Sequence, residues 1–278
     1  MYQATRITEV KDFIRSRADA AQGFVPTMGA LHEGHLELIR RARRENDLLS
    51  CSIFVNPIQF NNREDLEKYP RSLDSDLEML ETEGCDLVFT PSEDEMYPEQ
   101  AVEKFDFGDL ETVMEGKYRP GHFNGVALVV KRLLDILTPQ RAYFGEKDYQ
   151  QLRVIQELVK RYGIPVEIIP CPTVREADGL AMSSRNRRLN LEERSIAPLI
   201  FNVLKEVNEK AGKMSVGELK KLAIQQLSGS GFIVDYFEIA AAESLQPLND
   251  WKEASNARAF VACYLGNVRL IDNMELFY

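Results

Sequence analysis

Two histidines, His32 and His35, lie in the stretch Pro26-Thr27-Met28-Gly29-Ala30-Leu31-His32-Glu33-Gly34-His35. The apolar run 23–25 precedes that stretch and a helical pattern starting at Leu36 follows it, so it reads as a turn from a strand into a helix. Gly29 and Gly34 let the backbone fold tightly and approach a ligand closely. Amides at the start of the helix face the turn and are expected to seat a phosphate. Spacing of three brings the two imidazoles onto one face of the first helical turn. The chemistry this pattern offers is hydrogen bonding to phosphate. Zinc is the competing reading of a His-x-x-His pair, but the protease signature His-Glu-x-x-His is absent and candidates for a third ligand are thin.

Other chemistry-bearing residues fall at the ends of further strands. The nearly continuous apolar run 48–56 fits a strand buried on both faces of a parallel sheet. It ends in Asn56-Pro57-Ile58-Gln59-Phe60, where open α/β sheets bind ligands, and Gln59 is placed there to orient a small polar substrate among apolar neighbours. A short strand at 142–144 runs into Gly145-Glu146-Lys147-Asp148-Tyr149-Gln150-Gln151, and then into a helix with Leu152, Ile155, Leu158, Val159 and Tyr162 on its buried face. Lys147 is a mobile charge where a phosphate can sit, and Asp148 either binds ribose hydroxyls or caps the helix. Residues 173–190 (TVREADGLAMSSRNRRLN) read as a loop. Its Ser183 and Ser184 beside Arg185 suit a clamp over a triphosphate. Asp74 and Asp76 fit the first turn of a helix, whose dipole favours acids; on spacing, Asp76 is the candidate magnesium ligand. His122 stands just before the apolar stripe Val126, Val129, Val130, Leu133, Leu134 and Leu137, and reads first as a hydrogen-bonding residue at the helix start.

Composition bounds what these residues can serve. A chain of 278 residues, 44% hydrophobic and 28% charged, builds an ordinary globular core. No apolar run reaches the length of a membrane span, and residues 1–9 are too polar for a secretory leader, so a cytoplasmic protein is expected. Cys51, Cys85, Cys171 and Cys263 are scattered through apolar surroundings and read as reduced and buried. The net charge of −10 counts against broad nucleic-acid contact. Residues 61–104 alone carry 14 acids and 4 bases, which leaves the rest of the chain neutral.

The elements that must position these groups alternate strand and helix through residue 170. This predicts an α/β, Rossmann-like parallel sheet with right-handed crossovers in residues 1–173. Beyond it, Asn190 with Glu193 and Ser215 with Glu218 form capping boxes ahead of two helices. Strand-like runs at 232–240, 258–265 and 268–271 follow, the last two joined by a hairpin at Gly266-Asn267. Residues 174–278 are therefore expected to form a smaller α+β domain. In such a fold the histidine turn, Gln59, residues 145–151 and the serine–arginine loop would converge on a single cleft.

The His-x-Gly-His turn resembles the HIGH signature of the nucleotidyltransferase superfamily. More specifically, the chain resembles the pantothenate synthetases (pantoate–β-alanine ligases) from about Val25 to Leu189. Besides the first turn, the resemblance rests on Phe-Val-Asn-Pro-x-Gln-Phe at 54–60, Tyr-Pro-Arg at 69–71 and Arg-Pro-x-His-Phe-x-Gly-Val at 119–126. It continues with Phe-Gly-Glu-Lys-Asp-x-Gln-Gln at 144–151, and with Arg-Glu-Ala-Asp-Gly-Leu-Ala-x-Ser-Ser-Arg-Asn at 175–186, the counterpart of the KMSKS loop. Leu128 replaces a common threonine, and Arg132 a usual lysine.

The resemblance implies an ATP-dependent ligase of pantothenate and coenzyme A biosynthesis. It would join pantoate to β-alanine through a pantoyl-adenylate, with Mg²⁺, releasing AMP and pyrophosphate. It implies His32, His35, Lys147 and Arg185 as catalytic residues. ATP would be bound by Met28, Gly29, His32, His35, Gly145, Glu146, Lys147, Asp148, Val174, Met182, Ser183, Ser184 and Arg185. Pantoate would meet Pro26, Met28, Gln59 and Gln151, and β-alanine would meet Gln59. It also gives the C-terminal domain a lid role and implies a homodimer without nucleic-acid or membrane partners. Two alternatives stay open: a nucleotidyltransferase of the same superfamily acting on another small substrate, and a non-catalytic ATP-binding or RNA-associated module.

Overall fold

The computed structural model describes residues 1–61, 63–99 and 103–278, and the chain forms two compact units. The first comprises Met1–Phe107, Arg119–Glu146 and Val154–Pro172; the second comprises Gly108–Tyr118, Lys147–Arg153 and Thr173–Tyr278.

The first unit is built on a six-stranded sheet in the order β1-β4-β3-β2-β5-β6. Its strands are β1 (Tyr2–Ala4), β2 (Gln22–Thr27), β3 (Leu48–Ile53), β4 (Leu87–Phe89), β5 (Arg141–Gly145) and β6 (Glu167–Cys171). Every pairing is parallel, as the unbroken apolar runs predict for strands covered on both faces. On one face Val25, Leu49, Cys51, Val88, Tyr143 and Ile169 pack with Ile39 and Ala42 of the helix Glu33–Glu45 and Leu80 of the helix Leu73–Thr82. The helices Ile7–Arg15 and His122–Leu137 pack on each other, and the latter also packs on β2. From β2 the chain winds one way through β3 and β4 and the other way through β5 and β6. The switch point therefore lies between β2 and β5, where Gly23 and Phe24 pair with Arg141 and Ala142. Ligands of open α/β sheets bind outside the carboxyl ends of strands at such a point. Those ends lead into Met28 and into Glu146.

Two elements precede what reads from the sequence as the first strand. β1 is three residues long and pairs only with β4 at the sheet edge, and the helix Ile7–Arg15 fully buries Val10 alone. Neither is long or apolar enough to give a periodic signal.

In the second unit β7 (Ile233–Ala241), β8 (Ala257–Leu265) and β9 (Val268–Leu276) form an antiparallel sheet in that order. The helices Leu199–Lys210 and Val216–Gly229 supply Val203, Leu204, Val207, Leu219, Ala223 and Leu227 to its core. Both capping boxes form: Asn190 and Ser215 each exchange hydrogen bonds with the glutamate three residues on. The periodic stretch after Asn190 is nonetheless two helices, Leu191–Ile196 and Leu199–Lys210. Pro198, with no N–H to give, stands at the break.

The two short segments of this unit are held by buried polar ties. Gln150 Nε2 donates to the carbonyls of Leu110 (2.7 Å) and Val113 (2.9 Å), and its Oε1 accepts from Glu115 N at 3.0 Å. The Glu115 carboxylate receives two N–H groups of Arg269 at 2.7 and 2.8 Å, and the Tyr236 hydroxyl at 2.9 Å. Burial pushes that phenol well above its ordinary pKa, so it stays a donor. All four cysteines are free and buried, as expected.

Candidate active site

The turn after β2 is over-determined. Thr27 Oγ1 donates to the Ser52 carbonyl at 2.7 Å and accepts from Gly29 N at 3.2 Å. Gly29 has φ +78°, and a Cβ there would stand 3.0 Å from Asp76 Oδ2 and 3.1 Å from an Ile53 methyl, so glycine is required twice over. Ala30 also lies in the left-handed region, at φ +52°. What holds that conformation is Asp76: its two oxygens accept the N–H groups of Ala30 and Leu31, each at 2.8 Å, while the Ser72 hydroxyl lies 3.2 Å from both.

His32 caps the helix Glu33–Glu45, its Nδ1 accepting from Gly34 N at 3.1 Å. His35 Nδ1 accepts from His32 N at 3.4 Å. With both Nδ1 atoms acting as acceptors, the neutral rings carry their protons on Nε2. The rings are 4.1 Å apart, centroid to centroid. The turn thus carries two adjacent imidazole N–H groups, a donor type that suits phosphate oxygens.

One expectation changes here. Amides at the start of the helix are expected to seat a phosphate, but that of Gly34 bonds to the His32 ring and that of His35 to the His32 carbonyl, while those of Ala30 and Leu31, just ahead of the helix, bond to Asp76. A second correction concerns the magnesium ligand. Asp76 is 1% exposed and both its oxygens are engaged by backbone, so a protein-held ion does not fit it. Among the described residues no cluster of three or more histidines, cysteines or carboxylates could hold a metal.

Gln59 ends a 3-10 turn, Pro57–Gln59, and is buried. Its Nε2 lies 3.1 Å from Met28 Sδ, which joins two residues read from the sequence as a substrate pair. Beneath it lies a polar bracket that the sequence did not reveal. Asn56, fully buried, donates to Gln59 Oε1 (3.3 Å) and to the Gly125 carbonyl (3.0 Å), and accepts from the Tyr97 hydroxyl at 3.1 Å. Burial drives the Tyr97 phenol far above its ordinary pKa and keeps it a donor. His122 Nδ1 lies 2.9 Å from the Gln59 carbonyl, and Arg119 donates to its Nε2 at 3.1 Å. Its proton is therefore on Nδ1, the opposite tautomer from the turn histidines. His122 starts its helix and hydrogen-bonds there, and it also fixes the main chain of Gln59.

That main chain is approached closely by Gly125, where a Cβ would fall 2.7 Å from Gln59 Cα and 2.8 Å from Ile58 O. Backbone would have to move. Gly125→Ala is expected to cost about 1–3 kcal/mol of stability. It should also raise the KM for the acid substrate about tenfold or more through displaced Gln59. Urea denaturation and steady-state kinetics measure the two effects, and an unchanged KM would free Gln59 of substrate contact.

The remaining candidates lie in the second unit, except Pro26, which lies in β2, and Gly145 and Glu146, which end β5 and open the next turn, all three in the first. Lys147 and Asp148 share the 3-10 turn Glu146–Asp148, with Nζ 3.6 Å from the Asp148 carboxylate. Gln151 lies in the helix Tyr149–Tyr162. The serine–arginine stretch is more ordered than a solvated linker. Met182 N donates to the Val174 carbonyl at 3.0 Å, and Arg175 pairs with Ala181 as a β-bridge. Ser183 Oγ accepts from Arg185 N at 3.2 Å, and Ser184 is buried. Arg194 donates to Asp178 at 2.6 Å and holds that carboxyl below its ordinary pKa.

A parallel α/β unit carries the paired imidazoles at its switch point, where open sheets of this kind bind ligands. The chain belongs to the pantoate-beta-alanine ligase family, whose model matches residues 3–275. The pantothenate synthetase of Christiangramia forsetii is 48% identical over 257 residues, 91% of each chain. That of Porphyromonas gingivalis is 46% identical over 272 residues, 97% of each. The crystal structure of pantothenate synthetase from Thermus thermophilus matches with a TM-score of 0.92 at 46% identity, covering 100% of both chains. The pantoate-beta-alanine ligase of Francisella tularensis, solved in complex with beta-gamma ATP and beta-alanine, matches at 0.84 and 39% identity over 99% of this chain and 97% of that one.

Proposed function

We propose that this chain is an ATP-dependent ligase that condenses pantoate with β-alanine, releasing AMP and pyrophosphate. The observation that carries this reading is the histidine turn, with both Nδ1 atoms engaged by backbone amides and both ring protons therefore on Nε2. Pantoate, a carboxylate, is already a nucleophile at neutral pH and attacks the α-phosphorus without a strong general base. Catalysis is then positioning and charge stabilisation. His32 and His35 donate to the phosphates, and His35 follows the charge that grows on pyrophosphate. Lys147 and Arg185 supply positive charge to the same phosphates, and Ser183 and Ser184 add hydroxyls. Asp148 and the main chain near Val174 hold the nucleoside, with Met182, Gly145 and Glu146 about it.

Gln59 and Gln151 orient pantoate next to Pro26 and Met28, and Gln59 also meets β-alanine. The amine then attacks the acyl carbon of the pantoyl-adenylate, AMP leaves, and the second unit acts as a lid that keeps water from the mixed anhydride. Mg²⁺ enters with ATP. A cytoplasmic setting is part of the proposal; no helix among the described residues is long and apolar enough to cross a membrane. The proposed homodimer is tested by sedimentation.

The decisive experiment follows pyrophosphate from ATP and pantoate alone, then chases with β-alanine. The expected result is one pyrophosphate per site before the chase, and free AMP with pantothenate after it. A nucleotide product that β-alanine leaves intact would favour a nucleotidyltransferase, and no pyrophosphate at all would favour a binding module.

A further inference from the structure

Two segments credited above with phosphate contacts, the Lys147 turn and the loop that starts at Arg175, are tied to neighbouring residues of one strand. Asn273 of β9 is 3% exposed and donates from Nδ2 to the Lys147 carbonyl at 2.9 Å. Its Oδ1 accepts from Arg258 at 2.5 Å, and the Arg258 guanidinium lies 4.0 Å from the centroid of the Tyr149 ring, two residues beyond Lys147. Asp272, 4% exposed, takes two N–H groups of Arg175 at 2.6 and 3.0 Å, a bidentate pair, and also the Asn273 N–H at 2.8 Å. Arg175 reaches on to the Gly179 carbonyl at 3.1 Å and stacks 4.4 Å from the centroid of the Phe201 ring.

This is a costly arrangement for mere stability. A buried ion pair is weak evidence for stabilisation, and apolar residues would fill the space as well. Its partners are telling: one is the main chain of the lysine, and the other is the arginine at the base of the serine–arginine loop. A side-chain amide that fixes Lys147 through its carbonyl sets where the ammonium sits without touching a ligand. The buried carboxylate beside it sets where the loop begins.

We propose that Asp272 and Asn273 are positioning residues for adenylation. They hold Lys147 and the loop 175–185 in fixed register, Asn273 acting through Lys147 and Asp272 through Arg175. This rests on the ligase reading.

The test is a double-mutant cycle on the full-length protein, read as pyrophosphate release from ATP and pantoate. Asn273→Ala is expected to lower kcat for that half-reaction about 10–50-fold, with the KM for pantoate within about twofold, because misplaced charge is felt in the transition state. In a Lys147→Ala background the same change should cost less than about threefold, since its intermediary is gone. A purely structural role predicts equal factors in both backgrounds, and that outcome overturns the proposal. So does a folded Asn273→Ala enzyme with unaltered kcat. Should Asn273→Ala not fold, Asn273→Ser, which keeps a hydroxyl toward Arg258, takes its place in the cycle. Loss of folding in both variants makes the pair an ordinary anchor and also overturns the proposal. Failure of the unmutated protein to release pyrophosphate would instead defeat the ligase reading.

Discussion

Alanine in place of His35 is expected to slow pyrophosphate release from ATP and pantoate by about 10²–10³-fold, the effect of deleting one donor aimed at developing charge. The geometry makes a sharper claim than the loss alone. His35 Nδ1 is spent on the His32 amide, so Nε2 is the ring atom that carries the proton a phosphate would meet. His35→Asn places an amide near Nδ1 and should be as slow as alanine. His35→Gln extends its amide toward the Nε2 position and should recover part of the rate. The second half-reaction, attack of β-alanine on preformed pantoyl-adenylate, develops no charge on pyrophosphate and should stay within a few-fold of the unmutated enzyme. Rapid-quench measurement of each half-reaction separates the two, and normal pyrophosphate release by His35→Ala would remove the role.

Local signals made much of this legible in the sequence. The turn from β2 into its helix, the stripe from Val126 to Leu137, the two capping boxes and the hairpin at 266–267 depend on neighbours within a few positions. Their residue types announce them. The parallel sheet followed from alternation, but its strand order about the switch point did not, and β1 and the helix Ile7–Arg15 carried too little apolar surface to be read. The partners of the site residues were illegible for another reason. Asp76 meets Ala30 and Leu31 across 46 and 45 positions, His122 meets the Gln59 carbonyl across 63, and Asn273 meets Lys147 across 126. Composition and periodicity do not say which carboxylate will find which amide. Helix-start amides look available for phosphate because nothing nearby in sequence claims them, yet His32 takes those of Gly34 and His35, and a distant aspartate takes those of Ala30 and Leu31 just ahead of the helix.

Asp76, from the helix Leu73–Thr82, therefore carries a large structural consequence for the turn. Asp76→Ala leaves the N–H groups of Ala30 and Leu31 without their acceptors in a site that is 1% exposed at residue 76 and no more than 1% at the other two. Each orphaned donor costs about 1–3 kcal/mol, and the left-handed Ala30, held against a strain of order 1–3 kcal/mol, is released to relax. Displacement of the imidazoles by even ~1 Å should then cost about 10²-fold in adenylation on top of the stability lost. The competing role, a magnesium ligand, predicts the same fall in activity but a different stability. Deleting a metal-binding carboxylate would leave the metal-free fold intact. Urea unfolding in the presence of a chelator and without nucleotide decides between them: the clamp predicts a loss of about 2–5 kcal/mol there. An unshifted midpoint in chelator, with activity abolished, would return Asp76 to the metal and leave the strained turn without its explanation.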